Sequence, residues 1–417
     1  MKRVVITGLG IISSIGNNKL EVEKSLKNSI SGISFSKEMK NFGLKSNVWA
    51  PIKNNFSKKL FHDLKMLKYM NFSSFYAYIS MMEAIQDAFL KNFQYKKNSN
   101  IGVIVGSGCG YLNFEKLFFN SKDNIIQSKN FKKIKLDPYL LFKTMPSNIS
   151  ACLSTIFKIY GTTYSMSSAC ATSSHCIGHA YELIRSGKQN IIFSGGSEEL
   201  NVNLACFFDI LGVLSKKFNF SPKESSRPYD INRDGFVISS GSGILVLEEM
   251  NHALSRNARI YAEIIGYGTS SDGHSMFFPS KKGVLRCMKN ALKQIFYHKH
   301  KIDYINTHGT STKIGDLNEL KAILKIFKKR DLKKILISST KSITGHSLGA
   351  SGVHAIINTI LMFQNNFVAP NQNIVKLDKF SKNINLIQKK KDVSINIAMI
   401  NNFGFGGTNA SLILKKF

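Results

Sequence analysis

At 417 residues, with 43% apolar and 20% charged residues, the chain has the composition of a globular protein, long enough for two or three domains or one large duplicated one. No stretch approaches the roughly 18 consecutive apolar residues of a membrane-spanning helix, which excludes a helical membrane protein. The net charge of +31 is mostly lysine, alongside abundant Asn, Ile and Phe, a mixture that an AT-rich coding sequence produces by itself; whatever composition leaves unexplained points to an acidic partner.

The first element is the strand in "MKRVVITGLGIISSIG". Its basic start and apolar run imitate a signal peptide, but Gly8 and Gly10 break the run, as a strand of residues 3–10 entering a tight turn would. A cytoplasmic protein is the expectation. A second strand, "NIGVIVGSG", covers 100–108, and the lysine-rich stretch at about 120–136 reads as loop or helical cap. Next comes "TTYSMSSACATSSHCIGHAYELIRSG", a strand, a turn of small residues and a helix. Ile177, Ala180, Leu183 and Ile184 recur at helical spacing, and Gly187 supplies the stop.

The pattern then repeats. "YAEIIGYG" at 261–268 matches the first strand and "KIDYINTHGTS" at 301–311 the second. "ILISSTKSITGHSLGASGVHAIINTILMF" is again strand, turn and helix, and "NNFGFGGTNASLILKKF" closes the chain as a hairpin. Alternating strands and helices predict two similar α/β halves, 1–254 and 255–417, with parallel sheets and right-handed crossovers. The spacing G-x-G-x5-G in "GLGIISSIG" is not a dinucleotide fingerprint.

The chemistry centres on the cysteines. Six are scattered without a C-x-x-C pair, so a zinc ribbon or thioredoxin-like site is not expected. Cys170 falls where the strand turns into the helix, and a helix N-terminus favours a thiolate. Cys176 lies inside the helix and reads as core. Such a nucleophile needs proton-handling partners. Among the ten histidines, His308 in "NTHGTST" and His346 in "GHSLGASG" end apparent strands in the same layer as Cys170. His298 and His300 read as a solvated basic loop, and His175 and His179 as groups satisfying buried carbonyls. The "GFGG" loop lets backbone N–H groups approach a reacting carbonyl, a use suited to an oxyanion hole, with Phe405 beside it.

Five motifs in order, "SSACATSSHCIG", "SRPYDINRDGFVIS", "NTHGTSTKIGD", "STKSITGHSLGASG" and "NFGFGGTNA", resemble the beta-ketoacyl-[acyl carrier protein] synthases, over essentially the whole chain. These are elongating condensing enzymes of the thiolase fold. The wording around Cys170, with "GGSEEL" following, is more similar to the type I branch than to type II. The resemblance implies a thiolase-like fold of duplicated α/β halves in a five-layer αβαβα sandwich. It implies a cytoplasmic homodimer that extends an acyl group held as a thioester on Cys170, by decarboxylative condensation with a malonyl group. The partner is the acidic acyl carrier protein, whose phosphopantetheine carries both substrates, and neither a metal nor an organic cofactor is required.

By the same resemblance, Cys170, His308, His346 and Lys341 are catalytic, and the N–H groups of Cys170 and Phe405 form the oxyanion hole. Lys341 keeps His346 neutral, and Glu319 organises Lys341. Thr310, Thr312, Cys109, Phe403, Gly404 and Gly406 contact substrate. Lys65, Lys68, Lys132 and Lys133 lie near carrier-docking segments. The chain departs from the family at Cys109, which faces the acyl pocket, and at Phe277 and Phe278, bulkier than the family norm. Residues 51–68 and the tail of the 120–136 segment match poorly. Starter synthases use a Cys-His-Asn set, so the paired histidines argue against that branch. A type II enzyme of different chain-length preference is the alternative within the family. Outside it stands a basic protein that binds nucleic acid or a membrane surface, for which charge alone speaks; no zinc finger, RNA-recognition motif or basic recognition helix is present.

Overall fold

A computed structural model describes residues 1–53, 65–110, 137–295 and 300–417. The expected loop or cap at 120–136, with Lys132 and Lys133, and His298 lie outside the described residues.

Eleven strands make one continuous sheet. In chain order they are β1 (Val4–Ser13), β2 (Ile101–Gly106), β3 (Thr163–Met166), β4 (Ile191–Glu198), β5 (Gly241–Glu249), β6 (Ala262–Ser271), β7 (Tyr304–Asn306), β8 (Leu336–Ser338), β9 (Asn385–Leu386), β10 (Ile397–Gly404) and β11 (Thr408–Lys416). Their spatial order is β9-β8-β7-β10-β11-β6-β1-β5-β4-β2-β3. The two halves join where β1 meets β6 antiparallel, Val4 opposite Ile264 and Ile6 opposite Ala262.

The main helices are α1 (Phe72–Asp87), α2 (Asn148–Phe157), α3 (Thr172–Arg185), α4 (Lys281–Ile295), α5 (Lys313–Ile326) and α6 (Ser351–Asn365). Helices α1 and α2 cover the outer face of the first half, and α4 and α5 that of the second. Between the halves lie α3 and α6, which touch strands of both. The result is a five-layer αβαβα sandwich. Alternation along β10 shows why the layers hold: Ile397 and Met399 join the outer cluster with α4 and α5, while Ala398 and Ile400 face the central cluster with α3 and α6. Among the described residues, no helix is long and apolar enough to cross a membrane.

Two expectations are corrected. The sheets are mixed rather than parallel: β5 runs antiparallel to β1 and β4, and β11 antiparallel to β10 and β6. Three residues separate β10 from β11, too few for a crossover helix, so the pair closes as a hairpin. Nor do Gly8 and Gly10 end the first strand, which continues to Ser13. They are small because α1 packs onto the strand backbone: a Cβ at Gly10 would lie 1.8 Å from the Ser80 carbonyl oxygen. Gly268 repeats the device in β6, where a Cβ would lie 2.3 Å from the Ala291 nitrogen of α4. Gly10→Ala is therefore expected to destabilise the fold by about 3 kcal/mol or more, seen as a lower urea midpoint with unchanged slope.

Candidate active site

Strand β3 delivers the chain to a sharp turn before α3. Ala169 there adopts φ +49°, in the left-handed region that costs a non-glycine residue roughly 1–2 kcal/mol. Hydrogen bonds hold the strained turn: the Ser168 N–H donates to Thr172 Oγ1 (2.8 Å), and the Thr172 hydroxyl donates to the Ala169 carbonyl (2.8 Å). Cys170 follows in a single 3-10 turn, buried against Val202, Leu204, Phe208 and Leu348. Cys176, one face round and deeper, is fully buried in the central core.

The β10–β11 hairpin brings its tip to the sulfur. The backbone N–H groups of Phe405 and of Cys170 itself both act on Sγ, favouring its charged form. Only glycine fits at 404, since a Cβ would stand 2.8 Å from the Ser168 carbonyl oxygen and 3.1 Å from the Cys170 nitrogen. Gly406 shapes the turn at φ +77° and donates to the Met276 carbonyl (2.8 Å); Gly407 rather than Gly406 lines the cavity.

His308 leaves the end of β7, and His346 sits in the loop before α6. Their rings are 5.2 Å apart and nearly perpendicular, and ligand atoms of Cys170, His308 and His346 all lie within 4.8 Å of one another. His346 is anchored through its backbone, donating to the Val237 carbonyl (2.8 Å) and accepting from the Ser239 N–H (3.0 Å). His308 packs on Phe403 and His346 on Phe236. Both Nδ1 atoms are buried without a partner among the described residues. A buried N–H lacking an acceptor is costly, so the proton of each neutral ring belongs on Nε2.

Electrostatics set the protonation states. Burial, reinforced by the nearby Lys341 cation, holds both imidazoles well below their usual pKa; His346 adds to the effect on His308. Burial also pushes Lys341 down to about 8, opposed by Glu319, Cys170 and Asp316. Glu319 is pushed up to about 7 by burial. Its carboxylate accepts from the N–H groups of His308 and Gly309 and from Asn401 Nδ2, each at 3.0 Å, and so fixes the His308 loop as well as acting on Lys341 through space. For Cys170 the expectation of a stabilised thiolate is reversed. Burial outweighs Lys341 and the two N–H groups and pushes the thiol up to about 12. The resting nucleophile is a neutral thiol.

A cavity of about 340 Å³ opens onto these groups. Thr310 and Thr312 line it with hydroxyls 3.1 Å apart. Phe277 and Phe278 form part of its wall, and Phe277 packs on Phe405 with ring centroids 5.5 Å apart. Leu211, Met276, Phe278 and Ile314 are exposed apolar residues of that wall. Cys109 packs from another side into the cluster around Cys170, its thiol pushed up by burial. Lys65 is exposed, and Lys68 rests over the rings of Tyr69 and Tyr139 at 5.2 and 5.0 Å; neither lines the cavity.

Three supports went unremarked in the sequence. Buried Glu198 accepts from Ser107 Oγ (2.6 Å), Gly108 N (2.7 Å) and Gly349 N (2.8 Å), tying the loop before Cys109 to the one after His346. Its signal was an acid at a strand end among glycines, in "GGSEEL". Arg233 and Asp316, 3.4 Å apart and buried, brace the Thr310 loop, Asp316 accepting from the Thr310 N–H at 3.0 Å. Both lie within quoted motifs, but nothing local pairs them.

The donor set of Cys170, His308 and His346 is close enough to hold a metal ion. The unpartnered Nδ1 atoms offer no second-shell acceptor, however, and Lys341 places a positive charge beside them, so the arrangement suits hydrogen-bond donation better than ligation.

Comparison with known proteins shows the family of the chain. The family described as beta-ketoacyl synthase, N-terminal domain, matches residues 1–253, and the corresponding C-terminal domain matches 261–375. The 3-oxoacyl-[acyl-carrier-protein] synthase 1 of Buchnera aphidicola subsp. Schizaphis graminum is 56% identical, with both chains covered completely. The protein of the same name from Escherichia coli K12 is 48% identical over 100% of this chain and 99% of its own. Among solved structures, a beta-ketoacyl synthase from Burkholderia phymatum superimposes with a TM-score of 0.88 at 33% identity, covering all of both chains. A type II polyketide ketosynthase in complex with its acyl-carrier protein, AntDE:AntF, gives 0.88 at 27% identity, covering 100% of this chain and 99% of that one.

Proposed function

This chain belongs to the beta-ketoacyl synthase family, an acyl-transferring condensing enzyme with the activity of a 3-oxoacyl-[acyl carrier protein] synthase I, and we propose that Cys170, His308 and His346 divide that reaction between them. Residues 1–254 supply the nucleophile and 255–417 the two histidines. The single observation that carries the assignment is convergence: two backbone N–H groups and two neutral imidazoles meet around one thiol.

In the first step the Cys170 sulfur attacks the acyl thioester of the carrier. The carbonyl oxygen becomes an oxyanion held by the N–H groups of Cys170 and Phe405. Its collapse breaks the bond to the phosphopantetheine sulfur, which leaves with the proton from Cys170. A malonyl carrier then enters. Its carboxylate departs as carbon dioxide, and the electron pair of the broken C–C bond forms an enolate whose oxygen accepts from Nε2–H of His308 and His346. The enolate carbon attacks the acyl-Cys170 carbonyl. Collapse of the second tetrahedral intermediate expels the Cys170 thiolate, which takes up a proton, and releases a chain two carbons longer. The Thr310 and Thr312 hydroxyls are placed to bond the pantetheine arm. No metal or organic cofactor enters these steps, since decarboxylation supplies the driving force.

The carrier is taken to be an acidic acyl carrier protein, a kind of partner that the AntDE:AntF complex holds on a related ketosynthase. Lys65 and Lys68 are offered as docking contacts, along with the positive field of a +31 chain. A homodimer is supported by β3, bonded on one side to β2 and on the other to no strand among the described residues, an edge that a second copy would cover. The cytoplasm is the compartment proposed.

Intact-mass measurement after incubation with acyl carrier protein tests the assignment: one acyl group on the Cys170 peptide is expected, and its appearance on the Cys176 peptide would overturn it. Lys341 gives a second check. Replacing it in Lys341→Met removes one of the two influences depressing His346. The histidine pKa values then rise toward about 6.5, and the acid limb of malonyl decarboxylation moves to higher pH than in the unmodified enzyme. A pH profile that does not move would show that Lys341 has no hold on the imidazoles.

A further inference from the structure

His175 was expected to satisfy a buried carbonyl, and the Asn409 backbone on β11 does favour the charged form of its ring. It does more. Its Nδ1 shares a hydrogen bond of 2.6 Å with Ser168 Oγ, and its Nε2 one of 3.0 Å with Thr269 Oγ1 on β6. One ring from the first turn of α3 thus ties the residue two before the nucleophile to strand β6 of the other half.

Ser168 is where such a tie acts on Cys170. The next residue, Ala169, is the strained one, at φ +49°. A left-handed alanine persists only when its neighbours over-determine it. On the Ser168 side this depends on four contacts: the N–H to Thr172 Oγ1 (2.8 Å), the carbonyl accepting from Thr408 Oγ1 (3.0 Å) and from the Ala171 N–H (3.1 Å), and the hydroxyl on His175. The direction of the Cys170 N–H, one of the two donors at the sulfur, follows from the peptide joining Ala169 to Cys170. Burial holds the His175 ring toward the neutral form, with one donor and one acceptor nitrogen.

We propose that His175 is a positioning residue for acyl transfer: by fastening Ser168 to Thr269 of the second half, it keeps the strained turn that aims the Cys170 N–H and sulfur. His308 and His346 stand on other loops with their own backbone anchors. Loss of His175 therefore strikes the step that uses the oxyanion hole and spares the step that uses the imidazole pair. The inference rests on Cys170 as the acylated nucleophile.

The test compares two half-reactions of the full-length enzyme: single-turnover acylation by acyl carrier protein, and decarboxylation of malonyl carrier without acyl primer. In His175→Ala acylation is expected to slow on the order of 10- to 100-fold, with decarboxylation essentially unchanged. His175→Asn, whose amide can still bond Ser168, should recover part of the rate. Ser168→Ala should slow acylation too, and the double variant should lose no more than His175→Ala alone, because both remove one interaction. Equal loss of both half-reactions, unchanged acylation, or additive losses in the double variant would each overturn the proposal. If His175→Ala fails to fold, judged by circular dichroism, His175→Asn and Ser168→Ala decide by the same split. A Cys170→Ala control separates the premise: acylation surviving there would sink the nucleophile assignment, whatever His175 does.

Discussion

Cys170→Ala is expected to abolish acylation and chain elongation, by roughly four orders of magnitude or more, while decarboxylation of malonyl carrier continues. The N–H groups of Phe405 and Cys170 favour the charged sulfur, and neither imidazole is hydrogen-bonded to it. His308 keeps its Glu319 and Phe403 contacts, and His346 its backbone bonds to Val237 and Ser239, so removing the sulfur leaves the enolate-stabilising pair in place. Radiolabelled carbon dioxide release from malonyl carrier, set beside acyl incorporation by mass, gives the two rates. An alanine variant that still elongates, or that loses both activities in proportion, would contradict the division of labour.

The reciprocal result is expected at the histidines. His308→Ala or His346→Ala should lower decarboxylation on the order of 100- to 1,000-fold, the usual cost of one oxyanion-stabilising donor, with acylation of Cys170 less affected. The reason is electrostatic. Each ring is held neutral by burial and by Lys341, so each presents a donor without a competing positive charge at physiological pH. Replacement by Gln would keep a neutral donor and should retain more activity than Ala. Acylation falling as steeply as decarboxylation in either variant would mean that the imidazoles also serve the first step.

That Cys170 stands at a helix start and Cys176 inside the helix was legible in the sequence, because position relative to a helix start is a local property. Hydrophobic spacing at Ile177, Ala180 and Ile184 placed Cys176 inside the helix, and the fold buries it in the central core. The β10–β11 hairpin was legible for the same reason, since glycines and flanking strands sit within a few residues. The protonation state of Cys170 was not. A helix N-terminus argues for thiolate, but the desolvation that overrides it comes from residues such as Val202 and Leu348, far away in the chain. Gly10 was misread likewise: the helix that demands its smallness lies some seventy residues on, at Ser80.

By itself the sequence determined the strand, turn and helix around Cys170, the closing hairpin, and which side chains carry reactive groups. Each depends on patterns spanning a few residues, where backbone preference and apolar periodicity act. Only the tertiary structure decided that Cys170, His308, His346 and the Phe405 N–H share one cavity. It also decided that the imidazoles are neutral, that the thiol rests protonated, and that His175 fastens the nucleophile turn to the opposite half. Convergence and burial exist only once the two halves close on α3 and α6, because a charge is desolvated by whatever surrounds it in space, not by its neighbours in the chain.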